Sequence, residues 1–145
     1  MSRIADATET RKDDPLAPST SPIAVAEFVE EWLRCWNDHD VEGVLAHFSD
    51  DVVFTSPLAG QLLDGSDGVV RGKHALREYW NLGLSKVPDL RFELIGTYVG
   101  VATIVINYRN HRGQLVNEVL TFDGSLVVEG HATHLDRPPA ERADT

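Results

Sequence analysis

An α+β fold is predicted for this chain of 145 residues, because two kinds of hydrophobic spacing occupy successive parts of the sequence. Apolar residues recur at helical intervals as far as Leu82, and after the Pro88-Asp89 turn they alternate with polar residues, as in β-strands. Helices followed by a run of strands are typical of folds in which helices pack on one face of a mainly antiparallel sheet. The hydrophobic content of 42% is sufficient for one domain with its own core.

The composition argues against several classes of protein. A net charge of −10 repels phosphate backbones, so we expect no nucleic-acid partner. No apolar run approaches the roughly 20 residues that a membrane helix needs, and the N-terminus lacks the apolar segment of a secretory signal. Cys35 is the only cysteine, which excludes an internal disulfide and favours a reduced, cytoplasmic location.

Three helices are predicted within a domain that spans residues 22–135. Residues 1–21 and 136–145 are rich in polar, charged and proline residues and predict a flexible arm and tail. Ser21 can cap the first helix, with Pro22 at its first position, and Asp40 can cap a short second helix that extends to Phe48. A third helix follows Gly72. The apolar positions predicted to face the core are Val25, Phe28, Val29, Trp32, Cys35 and Trp36 in the first helix, and Ala75, Leu76, Tyr79 and Leu82 in the third.

One strand is predicted before a loop, and three or four strands are predicted later in the chain. The first strand covers residues 52–56, and residues 57–71, which contain Pro57 and three glycines, predict a lid-like loop. The other strands are expected at about 90–99, 101–109, 114–122 and 125–134.

The last hairpin gives the most specific local prediction. Asp123-Gly124 between two β-like runs favours a two-residue type I′ turn. That register pairs Glu118 with Glu129 on one face and places His131 diagonal to Glu118. A bulge at Gly124 would shift the pairing by one residue and separate these side chains.

Two paired carboxylates have a chemical meaning only if they face a closed pocket. There they cannot both ionise cheaply, so one keeps its proton well above the usual pKa. Such an acid suits enol, hydration and cyclisation chemistry, and His131 could share its proton or orient one glutamate. In the alternative interpretation Glu118 is a solvent-facing charge. His131 and His134 lie on opposite strand faces, so one of them is expected at the surface.

Residues 32–54, WLRCWNDHDVEGVLAHFSDDVVF, combine an amphipathic helix, a polar corner, a short helix and an acidic turn before a strand. This layout resembles the start of the nuclear transport factor 2-like superfamily, which includes SnoaL-like and ketosteroid-isomerase-like domains. Over about residues 22–135 the resemblance implies a cone-shaped antiparallel sheet, curved around three N-terminal helices and enclosing one apolar pocket (the cystatin-like or NTF2-like roll). The same scaffold hosts isomerases, cyclases, dehydratases and non-enzymes.

The segment EVLTFDG, residues 118–124, resembles the place where isomerase-like and SnoaL-like enzymes hold a pocket-facing aspartate. The resemblance therefore implies an acid–base role for Glu118. Two positions depart from the isomerase pattern, because Ser56 precedes Pro57 where the general base is expected and Trp32 replaces a catalytic tyrosine. These departures argue against steroid isomerase activity.

The predicted function is cofactor-independent acid–base catalysis on a small apolar, ketone-like or polycyclic ligand, as an isomerase, cyclase or dehydratase. Glu118 would be the general acid and base, with Glu129 and His131 setting its pKa. If the NHRG turn pairs Asn107 with Val116, Asn107 or Arg109 could stabilise an oxygen. The other predicted substrate-binding residues, which core packing would equally explain, are Trp32, Trp36, Phe54, Ser56 and Tyr79. A non-catalytic binding or dimerising domain is the alternative.

No metal site is predicted, because no known ligand spacing occurs and Asp38-His39-Asp40 is explained as a corner between helices. The outer sheet face is expected to be apolar, which favours a homodimer through the sheet. The residues assigned to that face are Leu126, Val128, Ala132, Ile104, Ile106 and Tyr108.

Overall fold

A computed structural model of the chain describes residues 25–136. The predicted arm over residues 1–21, the cap at Ser21-Pro22 and the predicted tail after Asp136 lie outside the described residues. The described part contains helices in its N-terminal half and one six-stranded sheet. The predicted α+β class with a curved, mainly antiparallel sheet is confirmed.

The elements follow one another in a simple order. Helix α1 (Val25–Asn37) and helix α2 (Val41–Leu45) precede strand β1 (Phe48–Thr55), helix α3 (Pro57–Leu62), strand β2 (Val69–Arg71) and helix α4 (Lys73–Lys86). Strands β3 (Glu93–Gly100), β4 (Thr103–Arg109), β5 (Leu115–Asp123) and β6 (Leu126–His134) complete the chain. The strand order is β2-β1-β6-β5-β4-β3. Every neighbouring pair is antiparallel except β1 and β6, which are parallel.

Helices α1 and α2 form largely as predicted. The apolar stripe of α1 packs into the core, and the Asp40 carboxylate caps α2 by accepting a hydrogen bond of 3.0 Å from the Gly43 backbone N–H. The prediction for Phe48 is wrong, because this residue begins β1 instead of ending α2. Phe48 is paired with Val127 of β6 and is 1% exposed, so sheet pairing and burial decide its conformation.

The segment predicted as a lid-like loop, residues 57–71, contains α3 and β2. Ser56 explains the helix, because its side chain accepts a hydrogen bond from the Leu58 N–H and Pro57 occupies the first helical turn. Strand β2 then pairs with β1. The prediction of an irregular loop is therefore wrong, and Leu58 and Leu62 of this segment line the cavity described below.

The corner between α1 and α2 holds the connection between α4 and β3. The Asn37 amide donates to the Phe92 carbonyl at 3.1 Å and accepts from the Phe92 N–H at 2.8 Å. His39, whose φ of 59° places it in the left-handed region, lies with Nε2 2.9 Å from the Leu90 carbonyl oxygen. These bonds fix residues 87–92 against the helices. The Asp38-His39-Asp40 stretch is thus the helix corner that was predicted.

The inner face of the sheet packs against the helices. In β4 the residues facing inward are Ile104, Ile106 and Tyr108, all at most 5% exposed, whereas Val105, Asn107 and Arg109 face outward. The prediction that Ile104, Ile106 and Tyr108 form an apolar outer face is therefore wrong. Burying an aliphatic side chain such as Ile106 contributes about 1.5–3 kcal/mol, which favours this orientation over the reverse.

Candidate functional site

The β5–β6 hairpin has a different register from the predicted one. Asp123 pairs with Leu126, so the two-residue loop is Gly124-Ser125, with a positive φ of 63° at Gly124. A bulge between Thr121 and Phe122 shifts the register once more. As a result Glu118 pairs with Ala132, three residues beyond its predicted partner Glu129. Because three is an odd number, the side chains of β6 from Glu129 onward face the opposite side of the sheet from the one predicted.

The predicted cluster of Glu118, Glu129 and His131 is therefore not formed. Glu118 pairs with Ala132 on the inner face, whereas Glu129 and His131 point outward. His131 Nε2 lies 3.2 Å from a Glu129 carboxylate oxygen, and His131 Nδ1 lies 2.6 Å from Thr55 Oγ1. We call Glu129, His131 and Thr55 the outer cluster.

Three predicted binding residues also lie away from the inner cavity. Asn107 pairs with Asn117 instead of Val116, and its amide donates to the Asn117 side chain on the outer face. Arg109 also points outward, where it forms a salt bridge of 3.8 Å with a Glu93 carboxylate oxygen. Trp32 is 1% exposed and packs in the core, with its ring stacked on Phe92.

A cavity of about 240 Å³ lies between the inner sheet face, α3, α4 and residues 87–92. This volume is slightly below the roughly 300–1,000 Å³ of pockets for drug-sized molecules. Its wall is mostly apolar, and it includes four of the predicted substrate-binding residues: Trp36, Phe54, Ser56 and Tyr79. Trp80 is a further aromatic wall residue, whose ring lies edge-on to both Trp36 and Phe54.

Of the described residues that line the cavity, Glu118 is the single acidic one. Glu118 is 4% exposed, and one of its carboxylate oxygens accepts a hydrogen bond of 3.1 Å from the Tyr108 hydroxyl. Burial raises the pKa of Glu118 to about 7, although the hydrogen bond from Tyr108 lowers it. At neutral pH this carboxyl group is therefore present in both its protonated and its ionised form.

Two tyrosines, Tyr108 and Tyr79, also line the cavity, and the Tyr108 hydroxyl is the one that contacts this carboxyl group. Burial raises the pKa of Tyr108 well above its usual value, and the charge of Glu118 raises it further. The Tyr79 hydroxyl donates a hydrogen bond of 3.1 Å to Ser56 Oγ, and burial raises the pKa of Tyr79. Both hydroxyls consequently remain protonated donors at neutral pH.

His134 is the histidine that the register brings to the inner face. It pairs with Val116, one inward position along β5 from Glu118, and it lines the cavity. Within residues 25–136, His134 Nε2 and Trp36 Nε1 are buried without a hydrogen-bond partner. Burial also lowers the pKa of His134, which favours the neutral imidazole. Both nitrogens are covered by neighbouring atoms, so a ligand would reach them only after their side chains turn toward the cavity.

Among the cavity residues that sequence reasoning missed are Tyr108 and His134, which lie near Glu118 in the sheet. A signal for Tyr108 was present, because Asn107 and Arg109 mark the polar face of β4 and leave Tyr108 with the isoleucines.

For His134 the sequence held no equivalent signal. Its face depends on the bulge in β6, where Val128 is left without a partner between Val127 and Glu129, and no glycine or proline lies at these positions.

In the part of the chain that the structure describes, no group of three His, Cys, Asp or Glu side chains could hold a metal ion. In the same part, no helix is long and apolar enough to cross a membrane.

The sequence profile of the SnoaL-like domain matches residues 29–137. The chain therefore belongs to the SnoaL-like family, and the predicted resemblance is confirmed. A comparison with curated protein sequences finds no match.

Solved structures support the same assignment. A SnoaL-like protein of unknown function from Burkholderia thailandensis is 36% identical, with a TM-score of 0.73 over 80% of this chain and 100% of that one. AclR from Streptomyces galilaeus, a proposed hydroxylase, is 22% identical, with a TM-score of 0.61 over 83% and 98% of the two chains. A proposed ketosteroid isomerase from Kribbella flavida is 13% identical, with a TM-score of 0.60 over 78% and 80%. The last two show the fold alone, and relatives with this fold carry several different activities.

Proposed function

We propose that this protein is a cofactor-independent acid–base enzyme that moves a proton on a small, apolar, ketone-like or polycyclic substrate, as isomerases, cyclases and dehydratases do. The observation that carries the proposal is Glu118. Its carboxyl group lies in an apolar cavity, and its pKa of about 7 suits both removal and return of a proton near neutral pH.

In the simplest reaction, ionised Glu118 takes a proton from the carbon next to the substrate's carbonyl group. The electron pair of that C–H bond forms the enolate, whose oxygen becomes negative. Protonated Glu118 then returns the proton to the same carbon or to another one. The hydrogen bond from Tyr108 favours the ionised form of Glu118 and so prepares it for the first step.

The enolate oxygen needs hydrogen-bond donors, and the cavity wall offers candidates. The Tyr79 hydroxyl lies in the wall and already donates to Ser56, and His134 Nε2 has no partner within residues 25–136. Donors fixed in an apolar site stabilise developing charge more strongly than water does. Under this proposal Tyr79 and His134 replace Asn107 and Arg109, which the sequence suggested for this role.

The test is exchange of hydrogen for deuterium at the carbon beside the carbonyl of a fused two-ring ketone, followed by NMR in heavy water. Glu118→Gln should slow the exchange at least about 100-fold, because general acid–base catalysis contributes that much or more. Glu129→Gln is the matched control and should exchange at the rate of the unaltered protein, because Glu129 lies on the outer face.

Ligand binding by Glu118→Gln is measured in parallel by tryptophan fluorescence. Retained binding with lost exchange supports the enzyme. If the unaltered protein binds the ketone but exchanges it no faster than Glu118→Gln, the chain is a small-molecule-binding domain, which is the alternative function.

We also propose a homodimer through the outer sheet face, although the residues that support it differ from those predicted from the sequence. Tyr98, Val105 and Val119 are paired in register across β3, β4 and β5 on this face, and Tyr98 is 64% exposed. An apolar row of this kind favours a partner surface. A monomeric mass in light scattering at micromolar concentration would contradict the dimer.

A further inference from the structure

The cavity has a closed end and a mouth of different character. Glu118 and Tyr108 are buried at the closed end. The exposed members of the cavity wall are Leu58, Lys86 and His111, from α3, α4 and the β4–β5 turn. These three residues therefore mark where the cavity opens to water.

Helix α4 connects the two ends. Tyr79 and Lys86 are seven residues apart and project from nearly the same side of the helix. At 1.5 Å per residue, their backbone positions are about 10 Å apart along the helix axis. A ligand that reaches from the closed end to Lys86 must therefore be elongated.

Gly83 keeps the middle of this path open. It lines the cavity between Tyr79 and Lys86, and a Cβ atom added there would meet no heavy atom within 4 Å. A glycine inside a helix is unfavourable relative to alanine, and here the missing side chain leaves room beside the helix. The path between the two ends is thus continuous along α4.

The charge at the mouth is opposite to that of the whole protein. The chain has a net charge of −10, yet among residues 25–136 no acidic residue other than Glu118 lines the cavity. Within residues 25–136, Lys73 forms an ion pair with Asp50 at 3.7 Å, whereas no carboxylate is within 4 Å of the Lys86 ammonium group. Asn110 accepts two backbone hydrogen bonds within its own turn, which leaves Lys86 and His111 as the polar groups at the opening.

From these observations we infer that the substrate is an elongated, mainly apolar ketone that carries a carboxylate at the end remote from the reacting carbon, and that Lys86, with His111, binds this carboxylate. The inference deepens the proposed function and rests on it for the position of the reacting end at Glu118. Lys86 is a specificity-determining residue in this view, because it does not contact the reacting atoms.

The experiment compares two probes that differ in one group. A naphthyl methyl ketone and the same ketone with a carboxylate on the far ring are titrated against the protein, with the fluorescence of Trp36 and Trp80 in the cavity wall as the signal. We expect the carboxylated ketone to bind about tenfold more tightly at low salt. Added salt should reduce that preference, since the mouth is exposed.

Lys86→Gln should abolish the preference and leave the neutral ketone's affinity unchanged. Lys73→Gln is the matched control, because it removes an equal charge from the same helix at a residue outside the cavity, and it should retain the preference. Gly83→Leu should weaken the naphthyl carboxylate more than it weakens a single-ring ketone confined to the closed end, without lowering the thermal unfolding midpoint.

Equal affinities of the unaltered protein for the two ketones would overturn the inference, as would an equal loss of preference in Lys86→Gln and Lys73→Gln. Either result leaves the proposed function intact if exchange still depends on Glu118. Conversely, a carboxylate preference that requires Lys86 supports the inference even where no exchange is seen, and the failure then belongs to the proposed function.

Discussion

The two faces of the β5–β6 hairpin carry the same pair of residue types in different surroundings. On the inner face Glu118 bonds to Tyr108 in an apolar cavity that His134 also lines. On the outer face Glu129 is about half exposed and lies 3.2 Å from His131. Water solvates the outer carboxylate, whereas the inner one has the Tyr108 hydroxyl in its place. The face on which each glutamate lies therefore decides whether its carboxyl group is solvated or buried.

The neighbours Thr55 and Ser56 show the same difference at the end of β1. Thr55 bonds outward to His131, and Ser56 bonds inward to the Tyr79 hydroxyl. Ser56 is 5% exposed and also caps α3, so one hydroxyl group supports both a helix and the cavity wall. The two hydroxyl groups have the same chemistry. They differ in burial and in the number of hydrogen bonds that each one makes.

The largest expected effect is on the pH dependence of stability. The rise in the Glu118 pKa from 4.5 to about 7 means that the folded protein binds more protons than the unfolded chain between these values, so stability falls as pH rises. The buried carboxylate therefore lowers the free energy of unfolding by roughly 3 kcal/mol at pH values above 7, and this loss is absent below about pH 4.5.

Glu118→Gln removes this loss of stability. In urea unfolding, the difference in free energy of unfolding between the variant and the unaltered protein should therefore move in the variant's favour by about 3 kcal/mol from about pH 4.5 to pH 8. The lowered pKa of His134 acts with the opposite sign and cancels in the difference between the two proteins. Glu129→Gln should give a difference that stays within about 0.5 kcal/mol. A flat difference for Glu118→Gln would show that the inner carboxyl group is solvated.

A smaller effect is expected at the two hydroxyls that end β1. Ser56→Ala should lower the free energy of unfolding by about 1–2 kcal/mol, because the cap of α3 and the acceptor of the Tyr79 hydroxyl are both lost. Thr55→Val should change it by about 0.5 kcal/mol or less. Urea unfolding of both variants measures the contrast, and equal losses would show that the inner and outer bonds contribute alike.

The smallest effect concerns the hydrogen bond that Tyr108 donates. Tyr108→Phe removes a bond that lowers the pKa of Glu118, so that pKa should rise above about 7. A bond of about 1 kcal/mol corresponds to somewhat less than one pH unit. The titration is followed by carbon NMR of labelled glutamate carboxyl groups. Tyr98→Phe on the exposed outer face is the control and should leave the titration unchanged; a shift in neither variant would contradict the bond.

The fold was largely predictable because local and global signals agree. The apolar stripe of α1, the cap at Asp40 and the alternation after Pro88-Asp89 all specify elements that the structure contains. The predictions failed where a partner distant in sequence decides. Phe48 belongs to β1 because it pairs with Val127, and the predicted lid contains α3 and β2 because Ser56 and β1 organise it.

The site was predictable only in part, for a geometric reason. Glu118 and the aromatic wall follow from one strand or helix at a time, and Trp36, Phe54, Ser56 and Tyr79 do line the cavity. The partners of Glu118 depend on the register between strands. One bulge turned Glu129 and His131 outward and His134 inward, and the energetic cost of such a bulge is too small and too local for composition to reveal it.

The position of β6 in the strand order has a consequence for how the protein forms during synthesis. Strands β1 and β2 have no pairing with β3, β4 and β5 except through β6, which lies between β1 and β5. Phe48 and Val127, which meet in this pairing, are far apart in the sequence, and contacts of this range slow folding. Residues 126–134 must therefore emerge from the ribosome before the two halves of the sheet can pair. Under the proposed function, ligand binding should accordingly appear in a single late step, when this strand joins the halves.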